Sequence, residues 1–160
     1  MNRTTRRKWL MWGAAYGTVW ALAPGFLSEL MRETGEAATV LFAGSITGIL
    51  MACALAPGLA RSRLWQAVWL GVLALPLGAG LFGFIISCIH WVVMKRTGVH
   101  YRFVMQIVEP PGYIFGPLEN AKDYALFSTL SLFGFVFIPL AVLTTLHFRQ
   151  QLRSRPSAQS

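Results

Sequence analysis

Residues 64–94 read LWQAVWLGVLALPLGAGLFGFIISCIHWVVM, with no Asp, Glu, Lys or Arg among them. No water-soluble core requires so long a charge-free run. At about 1.5 Å per residue, one helix of this length outspans the roughly 30 Å hydrocarbon layer of a bilayer and reaches both headgroup layers. Arg61 and Arg63 precede the run and Lys95 and Arg96 follow it, while Trp65, Trp69 and Trp91 lie just inside those charges. Tryptophan at that position anchors a helix at the membrane interface. The stretch marks the chain as an integral membrane protein.

The rest of the chain repeats the pattern. Charge-free runs also cover 9–28, 37–60 and 124–148, and the 160 residues are 55% hydrophobic and only 12% charged, against about 25% charged in an ordinary soluble domain. Lipid offers an exposed backbone no hydrogen bonds, so membrane spans are helices or strands of a closed barrel. Barrel strands alternate apolar and polar residues; these runs do not. The expected fold is an all-α bundle of four transmembrane helices in a single membrane domain over 1–160. The spans fall at about 9–28, 37–57, 64–94 and 124–148, with an extramembrane loop at 95–123 and a basic tail at 149–160.

Within this scheme, Pro24-Gly25 is expected to bend or end the first helix, Pro57-Gly58 to close the second, and Pro139 to kink the fourth. The basic start, Arg3, Arg6, Arg7 and Lys8, resembles a signal peptide or a signal anchor. Cleavage is not expected, because Pro24 directly follows the only late small-x-small site, Ala21-Leu22-Ala23. A formal charge of +8 invites nucleic acid, but the basic residues flank the spans. Topology and anionic headgroups account for them without a polynucleotide. Four crossings put both termini and the larger share of Lys and Arg on one side, the cytoplasmic side of the cell (inner) membrane. A rival topology folds 64–94 into a re-entrant hairpin at Pro76, Gly78 and Gly80. Three other helices would shield such irregular backbone poorly.

The loop carries a strand signal. Val99, Tyr101, Phe103, Met105 and Ile107 fall on one side of an extended chain and His100, Arg102 and Gln106 on the other. A turn at Glu109-Pro110-Pro111-Gly112 leads into Tyr113, Ile114 and Phe115, so a small β-ribbon cap on the outer mouth of the bundle is expected. Such a ribbon is marginal in water and needs support from lipid or a partner. Asn120 and Asp123 are suited to cap the last helix.

Glycines punctuate the spans: Gly13 and Gly17, Gly44 and Gly48, and Gly78, Gly80 and Gly83. The last three match the spacing of a dinucleotide-binding loop, but that loop follows a strand in a soluble alternating unit. In a membrane helix, small residues let backbones approach closely, so all seven are read as helix-packing positions, within the chain or against another protein.

Cofactor chemistry finds little footing. On the four-span scheme Cys53 and Cys88 differ in depth by about 25 Å, whereas a disulfide needs Cα atoms within about 7 Å. Of the histidines, His90 lies near the outer surface and His147 near the inner, which rules out a haem held between them. No metal motif and no buried carboxylate for proton-coupled transport is present. The outer face gathers His90, Lys95, Arg96, His100, Arg102, Glu109, Tyr113, Glu119 and Asp123, a set containing an acid, a base and an anion-binding group, though no motif ties any two together.

Three functional expectations follow. The first is a non-catalytic accessory, assembly or inhibitory subunit of another integral membrane protein, engaging it, or a second copy of itself, through the glycine faces and the cap. The second is an enzyme acting on a lipid-linked substrate at the outer leaflet. The third is a small channel or transporter component. Four nearly charge-free helices supply packing surface and little chemistry, which places the first ahead, with membrane lipids as the other contact and no cofactor.

Overall fold

The computed structural model describes residues 3–29, 37–97, 117–130 and 134–153. Every described residue except Ser62 and Arg63 is helical. Five helices follow in order: α1 (Arg3–Glu29), α2 (Ala37–Arg61), α3 (Leu64–Thr97), α4 (Pro117–Leu130) and α5 (Gly134–Arg153). Two segments, Ala38–Arg61 and Leu64–Ile89, are long and apolar enough to cross a membrane. The expected cap at 95–123 falls largely on 98–116, outside the described residues.

α3 is the spine. It runs unbroken through Pro76 and its glycines to Thr97, so the 64–94 run is one helix and the re-entrant hairpin is not formed. Water is absent at this depth, and each peptide group that left the helix would lack a partner; losing the one hydrogen bond that Pro76 cannot donate costs less. Along α3, α4 packs beside Gly80 and Gly83, and α5 beside Gly71. α1 and α2 form an antiparallel hairpin in the most extensive helix contact of the chain.

The interior is built from small side chains. One cluster joins Ala52, Ala56, Leu59, Ala67 and Phe148, and a second joins Ala21, Val40, Ala43 and Ile86. Alanines on facing helices bring the axes close and multiply backbone contact, which replaces the hydrophobic effect as the source of cohesion in lipid.

Several expected boundaries move. α1 continues through Pro24-Gly25 to Glu29. α2 does not close at Pro57-Gly58 but ends at Arg61. Ser62 provides the stop, its hydroxyl donating to the Leu59 carbonyl at 3.0 Å. Two residues then suffice to reverse the chain, because Gln66 Oε1 accepts from the Arg63 N–H at 2.8 Å while the Arg63 carbonyl accepts from the Ala67 N–H at 3.0 Å. That is the return half of a capping box, with Gln66 three residues into α3.

The largest correction concerns the fourth span. In place of one helix over 124–148 kinked at Pro139, the chain forms α4 and α5, bent by 97° to one another. α5 passes through Pro139 without interruption. The break lies earlier, between Leu130 and Gly134; in the turn before it the hydroxyls of Ser128 and Thr129 both donate to the Ala125 carbonyl, at 3.0 and 2.7 Å. Gly134 makes the bend possible: a Cβ there would overlap the Thr129 carbonyl oxygen. Among the described residues two helices are thus long and apolar enough to cross, and the bent pair amounts to a third if it serves as one span.

Candidate functional site

The α1–α2 hairpin is closed by four glycines. Gly13 and Gly17 are one turn apart on α1 and face Gly48 and Gly44 on α2. A Cβ on Gly13 would lie 2.7 Å from the Gly48 carbonyl oxygen, and one on Gly44 would lie 2.7 Å from that of Gly17. Added at Gly17 it would overlap the Gly44 carbonyl oxygen, and at Gly48 that of Gly13. The obstacles are backbone atoms, joined at Gly13 and Gly44 by the Cβ atoms of Ala52 and Ala21, and none of these can rotate away, so each position admits only glycine.

Beside the glycines, the hydroxyls of Thr18 and Ser45 approach to 2.7 Å across the hairpin. Each also faces a carbonyl of its own helix at 2.8 Å, Ala14 for Thr18 and Leu41 for Ser45. With one hydrogen apiece, the two hydroxyls fill two of these three contacts at a time.

The same principle acts on α3. A Cβ on Gly71 would lie 2.7 Å from the Val142 Cα, and one on Gly83 would lie 2.8 Å from the Tyr124 ring. Gly80 is less tight, at 3.1 Å from the Ala121 carbonyl oxygen. Gly78 meets only the end of Met51, at 3.9 Å. Above Gly83, Asn120 Nδ2 donates to the Ser87 hydroxyl at 2.7 Å, which in turn donates to the Gly83 carbonyl at 2.6 Å. Asn120, expected as a helix cap, thus ties α4 to α3.

A polar and aromatic cluster joins α1 to α5. Tyr16 Oη lies 2.6 Å from His147 Nδ1, and Gln151 Nε2 lies 3.1 Å from His147 Nε2. An amide nitrogen carries only donors, so Nε2 accepts from Gln151, and Nδ1–H donates to the tyrosine oxygen. Trp12 stacks on Tyr16 with centroids 5.6 Å apart and meets His147 edge-on at 5.8 Å. Phe148 stands edge-on to Tyr16 at 6.0 Å. Replacing Tyr16 with Phe keeps the rings and removes one hydroxyl. The expected loss is about 1 kcal/mol of stability in detergent, and a double-mutant cycle with His147→Ala should return most of it as coupling.

A third feature is a clamp on the α2–α3 turn. Arg149 and Arg153 both donate through Nη2 to the Ser62 carbonyl, at 3.1 and 2.6 Å. Cations favour the carbonyl-rich C-terminal end of a helix, here that of α2.

Much of the outer-face set lies beyond what the structure describes. His100, Arg102, Glu109 and Tyr113 lie outside the described residues. His90 and Lys95 belong to the last turns of α3, and Arg96 is exposed there; Glu119 and Asp123 stand on α4. Cys53 and Cys88 are free thiols, and the described residues include no group of three or more His, Cys, Asp or Glu suited to a metal. The Tyr16–His147 pair and the Ser62 clamp escaped the sequence. Its only trace was spacing: Trp12 and Tyr16, like His147 and Gln151, are four residues apart and share a helix face.

Comparison with known proteins returns no match: no family model fits the chain, and no curated protein or solved structure is similar to it.

Proposed function

We propose that the chain crosses the cell (inner) membrane four times, with both termini cytoplasmic, and serves as a non-catalytic accessory, assembly or inhibitory subunit of another integral membrane protein. The observation that carries this is the break between α4 and α5. A helix end leaves its last carbonyls and the next helix's first N–H groups without intrahelical partners. Hydrocarbon supplies none, so a break at membrane depth must be covered by protein. Within this chain the flanking side chains are among the most open, Leu130 at 78% and Phe135 at 81% exposure, and Val136, Leu140 and Leu143 continue the uncovered face along α5.

This moves the docking surface away from the glycines. Gly13, Gly17, Gly44, Gly48, Gly71, Gly80 and Gly83 already face neighbouring helices. The bulky face of the bent pair is the surface offered to a partner.

Affinity purification of the full chain in mild detergent tests the proposal. One integral membrane protein should co-purify in fixed ratio, and Phe135→Ala with Leu143→Ala should release it by about tenfold or more, as expected for anchors in a packed interface. A monodisperse monomer with no stable partner would reject it.

A further inference from the structure

Around the α2–α3 turn, positive charge gathers with no counter-charge among the described residues of the helices that meet there. Arg61 ends α2, and the guanidiniums of Arg149 and Arg153 share the Ser62 carbonyl. No Asp or Glu occurs in α2, α3 or α5. Arg149 Nε is buried and has no hydrogen-bond partner. Two cations on one neutral oxygen repel each other, and an anion close by would offset that repulsion.

Beside the turn is an open groove of about 430 Å³. Its polar end is formed by Arg61, Ser62 and Gln66, and its walls by Trp65, Trp69 and Leu73. Gln66 spends its oxygen on the Arg63 N–H, which leaves its amide N–H groups as donors. The Trp65 and Trp69 rings meet edge-on at 6.1 Å and are 63% and 54% exposed. The groove therefore presents donors and positive charge at one end and uncovered apolar surface running along α3 from it. Its complement is a molecule with an anionic head and an apolar tail.

We propose that this groove holds one anionic phospholipid, its phosphate at Arg61 and Gln66 and an acyl chain along Trp65, Trp69 and Leu73. The charge of the turn selects the lipid. A zwitterionic headgroup would bring an ammonium toward three arginines, whereas a net negative one brings only attraction. A free phosphate would answer the charge and leave the indole wall uncovered. The site is separate from the α4–α5 face and stands whether or not that face has a partner.

Native mass spectrometry of the purified full chain tests this, with phosphatidylglycerol and phosphatidylcholine added in turn. One phosphatidylglycerol should be retained in preference to phosphatidylcholine. Arg61→Gln should weaken retention about fivefold or more, the scale of one basic residue at an anionic surface, and Trp69→Ala should also weaken it. Arg63→Gln, an exposed neighbour outside the groove, should not. Equal retention of the two lipids, equal losses from Arg61→Gln and Arg63→Gln, or displacement by inorganic phosphate would overturn the assignment. Arg61 is exposed, so its loss leaves the fold intact; thermal unfolding of each variant checks this.

Discussion

Gly17→Val is expected to separate α1 from α2 and to destabilise the chain by about 3 kcal/mol, the upper part of the range for overpacking a tight site. The added Cβ would overlap the Gly44 carbonyl oxygen and lie 2.7 Å from the Gly48 Cα. Both are backbone, so relief requires moving a helix. Such a movement also parts Thr18 from Ser45. Melting of the purified protein in mild detergent reads the loss, and cysteines at 18 and 45 should cross-link in the parent but not in the variant. Gly58→Ala is the matched control. A Cβ at Gly58 meets nothing within 4 Å, and alanine favours the helix by roughly 0.5–1 kcal/mol. That variant should be as stable as the parent or slightly more so. Equal destabilisation of the two would mean that helix-breaking, not close approach, explains glycine's role.

The second large effect is expected at Gly71. Valine there places a Cβ 2.7 Å from the Val142 Cα and 3.3 Å from its nitrogen. α5 must back away, taking Phe148 from Ala67 and Leu59 and drawing Arg149 and Arg153 off the Ser62 carbonyl. A loss of about 2–3 kcal/mol is expected. Its origin is testable by compensation. Val142→Ala removes only side-chain atoms and should not rescue Gly71→Val. At Gly83 the nearest atoms belong to the Tyr124 ring, at 2.8 and 2.9 Å, so Tyr124→Leu should recover part of the loss caused by Gly83→Ala. Thermal unfolding of the four variants and the two pairs decides the matter.

The helices of the membrane core were legible because the cost of baring a peptide group in lipid overrides local preference. That cost is why α3 forms across Pro76, Gly78 and Gly80, why α5 runs unbroken through Pro139 as expected, and why α1 and α2 continue past Pro24 and Pro57, where an end was expected. Pro24 and Pro57 were read by rules suited to water, where an unwound turn finds solvent. The true stops have another chemistry. Ser62, just past α2, returns its hydroxyl to the Leu59 carbonyl, and Gly134 opens α5 where a Cβ would overlap the Thr129 carbonyl oxygen. Small polar residues at 128, 129 and 131 ahead of Gly134 were a loop signal, hidden inside an apolar average.

The glycine pairs were visible as spacing, but spacing does not say which faces meet. Gly13 and Gly17 pair with Gly48 and Gly44 because a short link folds α1 and α2 antiparallel. The Tyr16–His147 contact joins residues 131 positions apart. Neither residue announced it, since a tyrosine among other aromatics of a span and a histidine near a helix end are ordinary in a membrane protein. The arginine clamp was equally hidden. Arg149 and Arg153 counted only toward sidedness, although they share a face of α5 and reach the one carbonyl at which two helices join.

The most direct test of the account is extraction. Membranes from cells producing the unmodified chain should keep it in the pellet through an alkaline carbonate wash and release it only into detergent, because α2 and α3 are long and apolar enough to cross the hydrocarbon. Recovery in the aqueous fraction, without detergent, would contradict the account.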